Sequence, residues 1–337
     1  MPEISAVPRF GVFVPQINTT PTAMIATAQA AERSGFDSFW VMDHLYAPGA
    51  PPLDVPESWT LLTAIAAGTS TIRLGHLVGC NPLRHPAVLA KMAATLDQIS
   101  AGRLDLGLGW GSVEDEFAMF GIDAGTRRER AERLAETIEI LESMFTGRRF
   151  DYMGKHFRLR GASGLPVPAQ GRIPIHIGGG GRTLTMPLVA EHADWWNCVA
   201  AARERMHELA PLRGTARISA QYPVGLVHPG DEPAQVRAKL LRRMPESSWG
   251  TALIGTPGQL AEQLRVEWSR GVELFIIRFH DHAPPRTLEL FAAEVAAPLR
   301  AAIATESDCS PNPPEVCIVG EQDIVWETRE QPGQDTV

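Results

Sequence analysis

The chain has 337 residues, 44% of them hydrophobic and 21% charged, with a formal net charge of −8. That acidic balance, with no run of Lys or Arg, excludes a nucleic-acid surface, which needs a basic patch. No apolar stretch approaches the roughly 20 residues of a membrane span, and the N-terminal MPEISAVPRFGVFVPQ has no charged-then-apolar leader pattern. The four cysteines (Cys80, Cys198, Cys309 and Cys317) show no metal or CxxC spacing and fit a reduced cytoplasmic protein.

In chain order, RFGVFV at 9–14 reads as a strand ending at Pro15. Residues 22–34 carry apolar residues at helical spacing between Pro21 and Gly35. SFWVM at 38–42 reads as a strand, 57–69 as a helix, 72–78 as a strand and 86–99 as a helix closed by Ser-Ala-Gly. Residues 103–108 form the next strand, and 126–145 a charged amphipathic helix with Leu134, Ile138, Leu141 and Phe145 on one side. Residues 147–172 break the rhythm with Gly, Pro, Arg and aromatics and read as an insertion, a candidate lid. The pattern resumes with a strand at 174–177, a glycine run, a helix to His192 and a strand at 194–198. A short helix at 201–209, a strand at 218–227, a helix at 257–270, a strand at 273–278 and a helix at 287–302 complete it. Residues 305–337, rich in Pro and acids, read as a C-terminal tail with a candidate strand at 316–319.

Eight strand runs, each followed by a helix, imply an α/β fold. Most runs are continuously apolar, as when both faces are buried. The count fits a TIM (β/α)8 barrel over 1–304 with an insertion after the fourth βα unit. A doubly wound sheet is the alternative, but Val14-Pro15-Gln16-Ile17 stands where GxGxxG would be.

Barrel enzymes place their chemistry at the C-terminal ends of the strands. Those positions hold Asp43-His44, Gly79-Cys80-Asn81, Gly109-Trp110-Gly111, the run Gly178-Gly179-Gly180-Gly181-Arg182, Asn197-Cys198 and His280-Asp281-His282. Four glycines entering a helix suit an anion or a tight turn, with Arg182 as an added charge. Asp43-His44 suits an acid/base pair, or a turn cap beside a structural histidine. Arg84, His85 and Lys91 read as solvated or capping. His76 and His176 have no close ligand partner, so metal catalysis is not expected.

SFWVMDH (38–44), LGHLVGCNPLRHPAVLAKMAATLDQISAGRLDLGLGWG (74–111), IPIHIGGGG (173–181), ADWWN (193–197) and IGTPGQLAEQLRVEWSRGVELFIIRF (254–279) resemble the luciferase-like monooxygenase superfamily. The likeness is greatest to its deazaflavin (coenzyme F420)-dependent oxidoreductases and covers about residues 9–302.

The resemblance implies a barrel whose mouth binds coenzyme F420, or FMN in the alternative. It implies a bulged third strand with a cis peptide at Leu77-Val78 behind the cofactor ring, so that Leu77, Val78, Gly79, Cys80 and Asn81 back the ring and Gly109 and Trp110 form the adjoining rim. Phosphate contacts carry over to Gly180 and Gly181, with Gly179 and Arg182 adjacent. Asp43 and His44 match the family's Asp-His, which implies a catalytic role. Ser112 and Glu116 fall where a substrate would lie. Gly79 replaces a threonine common in relatives. Ser112 stands where sugar-phosphate dehydrogenases carry a catalytic glutamate, so the resemblance does not extend to their mechanism. The implied activity is hydride transfer between F420 and a small organic substrate, by a homodimer. The alternatives are an FMNH2-dependent monooxygenase and a non-catalytic cofactor-binding protein.

Overall fold

The structure, a computed structural model, describes residues 7–308 apart from 51, 243 and 245. Eight parallel strands form a closed ring: β1 (Arg9–Phe13), β2 (Ser38–Val41), β3 (Arg73–His76), β4 (Leu104–Gly109), β5 (Ile175–Gly178), β6 (Trp195–Cys198), β7 (Arg217–Leu226) and β8 (Val272–Phe279). β7 pairs with β6 through Arg217↔Trp195 and with β8 through Ala220↔Phe275, and β8 pairs with β1 through Phe10↔Phe275, which closes the barrel. The sheet is therefore a TIM barrel, and the doubly wound alternative falls.

Alternation along the strands divides two packing layers. Phe10, Phe275, Phe279 and Phe291 meet edge-on and stacked between barrel and helices. Inside, Trp40 fills the barrel at 0% exposure. The opposing positions on β1 and β3 are Gly11 and Gly75, where an added Cβ would strike the Trp40 indole. One large ring thus needs two neighbours without side chains, because interiors pack to crystal-like density.

Local signals explain the helix ends. Thr20 caps the helix Pro21–Arg33 by accepting from Ala23 N, and Thr126 and Glu129 form a capping box on Arg127–Phe145. Arg103 ties the N-terminal end together, donating to Thr69 Oγ1, Ile72 O, Ala66 O, Thr69 O and Ser100 O.

The structure adds elements that periodicity misses. Glu114–Met119 and Pro233–Leu241 are helices, Gly79–Cys80 pairs with β4, and Leu253–Gly255 extends the sheet beside β7. Each spans nine residues or fewer, too few for a decisive hydrophobic pattern. The last helix, Ala297–Asp308, runs beyond residue 302, and the candidate strand at 316–319 lies outside the described residues.

The 147–172 segment follows the helix of the fourth unit, as expected, but it is not a lid. Its hairpin, Phe150–Met153 with Arg158–Ala162, lies along the outside of the helix Arg127–Phe145. That helix presents Glu132, Glu136 and Glu139 on one stripe. Glu136 accepts from the backbone N–H groups of Lys155, His156 and Phe157, Glu139 from Tyr152 Oη, and Glu132 from Lys155 Nζ. Gln170 then anchors the segment's end to Asp97 and Leu104 O, beside the start of β4. A line of acceptors holds the segment on the helix Arg127–Phe145, and none of its residues lines the cavity at the C-terminal end of the barrel.

Candidate functional site

A cavity of about 370 Å³ opens at the C-terminal end of the barrel. It is lined by the ends of β3, β4 and β5 together with His44. Its volume lies in the usual range for small-ligand pockets, ~300–1,000 Å³.

The cavity wall is mostly backbone. The Leu77–Val78 peptide is cis, as the resemblance implies. Val78 wedges between two strand ends: a Cβ on Gly109 would lie 2.6 Å from Val78 Cγ2, and one on Gly178 would lie 2.8 Å from Val78 Cγ1. Any side chain at residue 79 would meet Gly107 O at 2.8 Å, so glycine rather than threonine at this position follows from the local backbone. A flat ligand can therefore approach Leu77, Val78, Gly79, Cys80 and Gly109 closely. Cys80 lines this wall as a neutral thiol, because burial, then Asp43 and Glu116, push its pKa up.

The glycine run forms the adjoining rim. Gly179 has φ +130°, accepts from Trp196 Nε1 (2.7 Å) and donates to Asn197 O (3.1 Å). Gly179, Gly180 and Gly181 all line the cavity, and the helix Thr185–His192 follows without a side-chain N-cap. Glycine backbone next to an uncapped helix N-terminus is suited to an anion. Trp110 lies beside it, donating from Nε1 to Thr185 Oγ1 (3.2 Å), with the buried Arg130 guanidinium over its ring. Arg182 is exposed and stands outside the lining, next to Gly181.

Asp43 and His44, adjacent in sequence, part company in space. Asp43 is buried and does not line the cavity. It accepts from Arg84 Nη1 (2.6 Å) and Nη2 (3.0 Å), Ser58 Oγ (2.5 Å) and Cys80 N (2.8 Å). Burial opposes its ionisation, but His76, Arg84 and Ser58 outweigh that, and the carboxyl stays below its ordinary range. Asp43 is thus a buried, paired anion that holds Cys80 N behind the cavity wall. Arg84, read from sequence as solvated or capping, is the nearly buried cation that pairs with it.

His44 does line the cavity, and its side chain is 28% exposed. Its Nδ1 lies 2.9 Å from Glu116 Oε2, and Glu116 Oε1 accepts from Leu45 N (2.6 Å). Glu116 is fully buried. Both of its oxygens are engaged by protein, and it stands behind His44, outside the cavity lining. Ser112 does line the cavity. Asn81 is buried outside the lining, because the turn Asn81–Leu83 carries it behind the wall.

Thr185, Val199 and Gln221 line the cavity without having been foreseen. Gln221 Nε2 donates to Asn197 Oδ1 (2.9 Å), and Asn197 Nδ2 to Ser219 Oγ (3.0 Å), a polar ladder across β6 and β7. The polar residues in QY and WWN were visible, but nothing marks which strand face they occupy before register is known.

His76 packs against Trp59 (centroids 4.4 Å), and burial pushes its imidazole down to about 4. His176 points into the barrel and stacks on Trp195 (5.4 Å). Among the described residues, no group of three His, Cys, Asp or Glu is arranged to hold a metal ion, and no helix is long and apolar enough to cross a membrane.

A family model described as luciferase-like monooxygenase matches residues 8–244. An F420-dependent glucose-6-phosphate dehydrogenase of Nocardia farcinica is 35% identical over 175 residues, 51% of this chain and 50% of the relative. The chain thus spans about half the length of that relative. The enzyme of the same description from Rhodococcus erythropolis is 27% identical over 83% of this chain and 94% of its own. The solved coenzyme F420-dependent tetrahydromethanopterin reductase of Methanopyrus kandleri superposes with a TM-score of 0.73 at 19% identity, covering 87% of this chain and 99% of that one. That likeness is one of fold.

Proposed function

The chain belongs to the luciferase-like monooxygenase family, and from that premise we propose that it is an F420-dependent oxidoreductase acting on a small organic substrate. The observation that carries the reading is the mouth cavity itself: a wall of glycine backbone and Val78, an anion-suited glycine run, and one imidazole at the rim. The F420-dependent curated relatives support the deazaflavin over FMN.

The residues fit such a cofactor. Leu77, Val78, Gly79 and Cys80 would back its ring, with Gly109 and Trp110 at the edge. Gly179, Gly180 and Gly181 would receive its phosphate through backbone N–H groups, with Arg182 outside as a screening charge. The bound cofactor supplies the hydride chemistry. The chain supplies the rest. Val78 would set the depth at which a flat group lies, Asp43 holds Cys80 N behind the wall, and Trp110 stands at one side. His44, held on Glu116, accepts or returns the proton of the reacting substrate oxygen. Ser112 offers that substrate a hydroxyl rather than a carboxylate. We further propose a cytoplasmic homodimer, to be checked by sedimentation.

The test is a pair of fluorescence titrations with F420 and FMN, followed by turnover of a substrate panel. F420 should bind more tightly. Tighter FMN binding with oxygen-dependent turnover would establish the monooxygenase reading instead. Binding without turnover of any substrate would favour a cofactor-binding protein.

A further inference from the structure

The Asp-His dipeptide at the end of β2 invites the reading that Asp43 is the partner of His44. The geometry points elsewhere: we infer that Glu116, from the helix after β4, is the positioning residue that fixes the tautomer of His44 and presents its Nε2 to the cavity. The inference adds a positioning role to the proposed site, and its first measurement does not depend on which cofactor binds.

The argument is one of donors and acceptors. Glu116 is fully buried, and its two oxygens face two groups, Leu45 N and His44 Nδ1. The backbone N–H can only donate, so it claims Oε1. A buried carboxylate oxygen left without a donor is costly, which requires the second group to donate as well. His44 Nδ1 must then carry the hydrogen, and neutral His44 has its lone pair on Nε2. The ring lines the cavity, so the acceptor nitrogen is the one free to face a ligand. The anchor is rigid at both ends: Leu45 follows His44 directly, while Phe117, next to Glu116, is buried and lies beneath the Arg130 guanidinium. Asp43 cannot take this role, because Arg84, Ser58 and Cys80 N occupy its oxygens.

Glu116→Gln tests the inference by inverting it. The amide oxygen must still meet Leu45 N, which turns the NH2 towards His44 Nδ1. That nitrogen must then accept, and the hydrogen moves to Nε2. The readout is the long-range 1H–15N spectrum of the cofactor-free protein at mildly alkaline pH, with the His44 signals assigned by their loss in His44→Gln. Wild type should show a protonated Nδ1 and an unprotonated Nε2. Glu116→Gln should show the reverse, with F420 affinity retained and kcat lowered more than KM is raised. Nε2–H in the wild type, or the same tautomer in both proteins, would overturn the inference. If Glu116→Gln does not fold, Nε2–H in the wild-type spectrum still overturns the inference and Nδ1–H supports it. Failure of F420 to bind would remove the proposed activity and leave the tautomer result standing.

Discussion

The two ends of the barrel carry cavities of opposite character. The N-terminal end holds the larger, about 800 Å³, lined by Arg9, Asp37, Arg73, Asp105, Asp194 and Arg217. The C-terminal end holds the smaller, about 370 Å³, lined mostly by glycine backbone, small apolar side chains and His44. In the larger, charges answer one another: Arg73 pairs with Asp105 at 2.8 Å, Arg217 pairs with Glu273 at 2.6 Å and lies over Trp195, and Arg172 pairs with Asp194. In the smaller, the ion pair of Asp43 and Arg84 is withdrawn behind the wall, and the lining is left to groups that can accept a ligand. Volume does not mark the site. What marks it is backbone within reach and polar groups whose partners hold them facing the cavity. The division matches the general placement of function and stability at opposite faces of this fold.

The comparison breaks most directly at His44. His44→Ala should lower turnover about 100- to 10,000-fold, the range of general acid–base catalysis, while F420 affinity changes little. Full turnover in that variant would remove the imidazole from the chemistry.

Stability should divide the ends next. Asp43→Ala leaves the nearly buried Arg84 without its main partner and should cost about 3–5 kcal/mol, with weaker cofactor binding because Cys80 N loses its acceptor. Asp105→Ala should cost less, about 2 kcal/mol, since Arg73 can turn towards water. It should leave F420 affinity unchanged. Denaturant midpoints and titrations on both variants measure this, and equal loss of affinity would erase the distinction between the ends.

Acid should reach the mouth end first. His76 has its folded pKa lowered to about 4, so between its unfolded value of about 6.5 and 4 the unfolded chain binds a proton that the folded chain does not. Stability should therefore fall as pH drops through that window, by about 3 kcal/mol in all. Asp43 and Asp105 are both held below the ordinary carboxylate range. Their contribution is complete above the unfolded pKa of about 3.9 and is lost as pH falls through their folded values. His76→Leu should flatten the upper window alone, which unfolding curves between pH 7 and 4 would reveal.

The smallest effect is the sharpest probe of the wall. Gly109→Ala places a methyl 2.6 Å from Val78 and should force that side chain into the cavity. An overpacking cost of about 1–3 kcal/mol should fall mainly on F420 affinity. Unchanged affinity would mean that the wall is not where the ring lies.

Much of this was legible beforehand. Eight apolar runs, each followed by a helix, specified the barrel, because burial on both faces leaves a continuous hydrophobic signature. Glycines at strand ends marked Leu77–Cys80, Gly109 and Gly179–Gly181, since glycine at such junctions has few purposes. The 147–172 segment was visible as an interruption, but its course was not. Its position depends on acceptors at Glu132, Glu136 and Glu139, which in sequence look like an ordinary solvated face.

The sequence by itself determined the fold, the family and the stretches that surround the mouth, because periodicity and strand-end chemistry are local. Only the tertiary structure decided the partners. Asp43 turned to Arg84, His44 to Glu116 seventy-two positions away, and Gln221 to Asn197 on the next strand. A hydrogen bond is settled by which atoms come within about 3 Å, and for residues on different strands that distance follows from register and barrel closure.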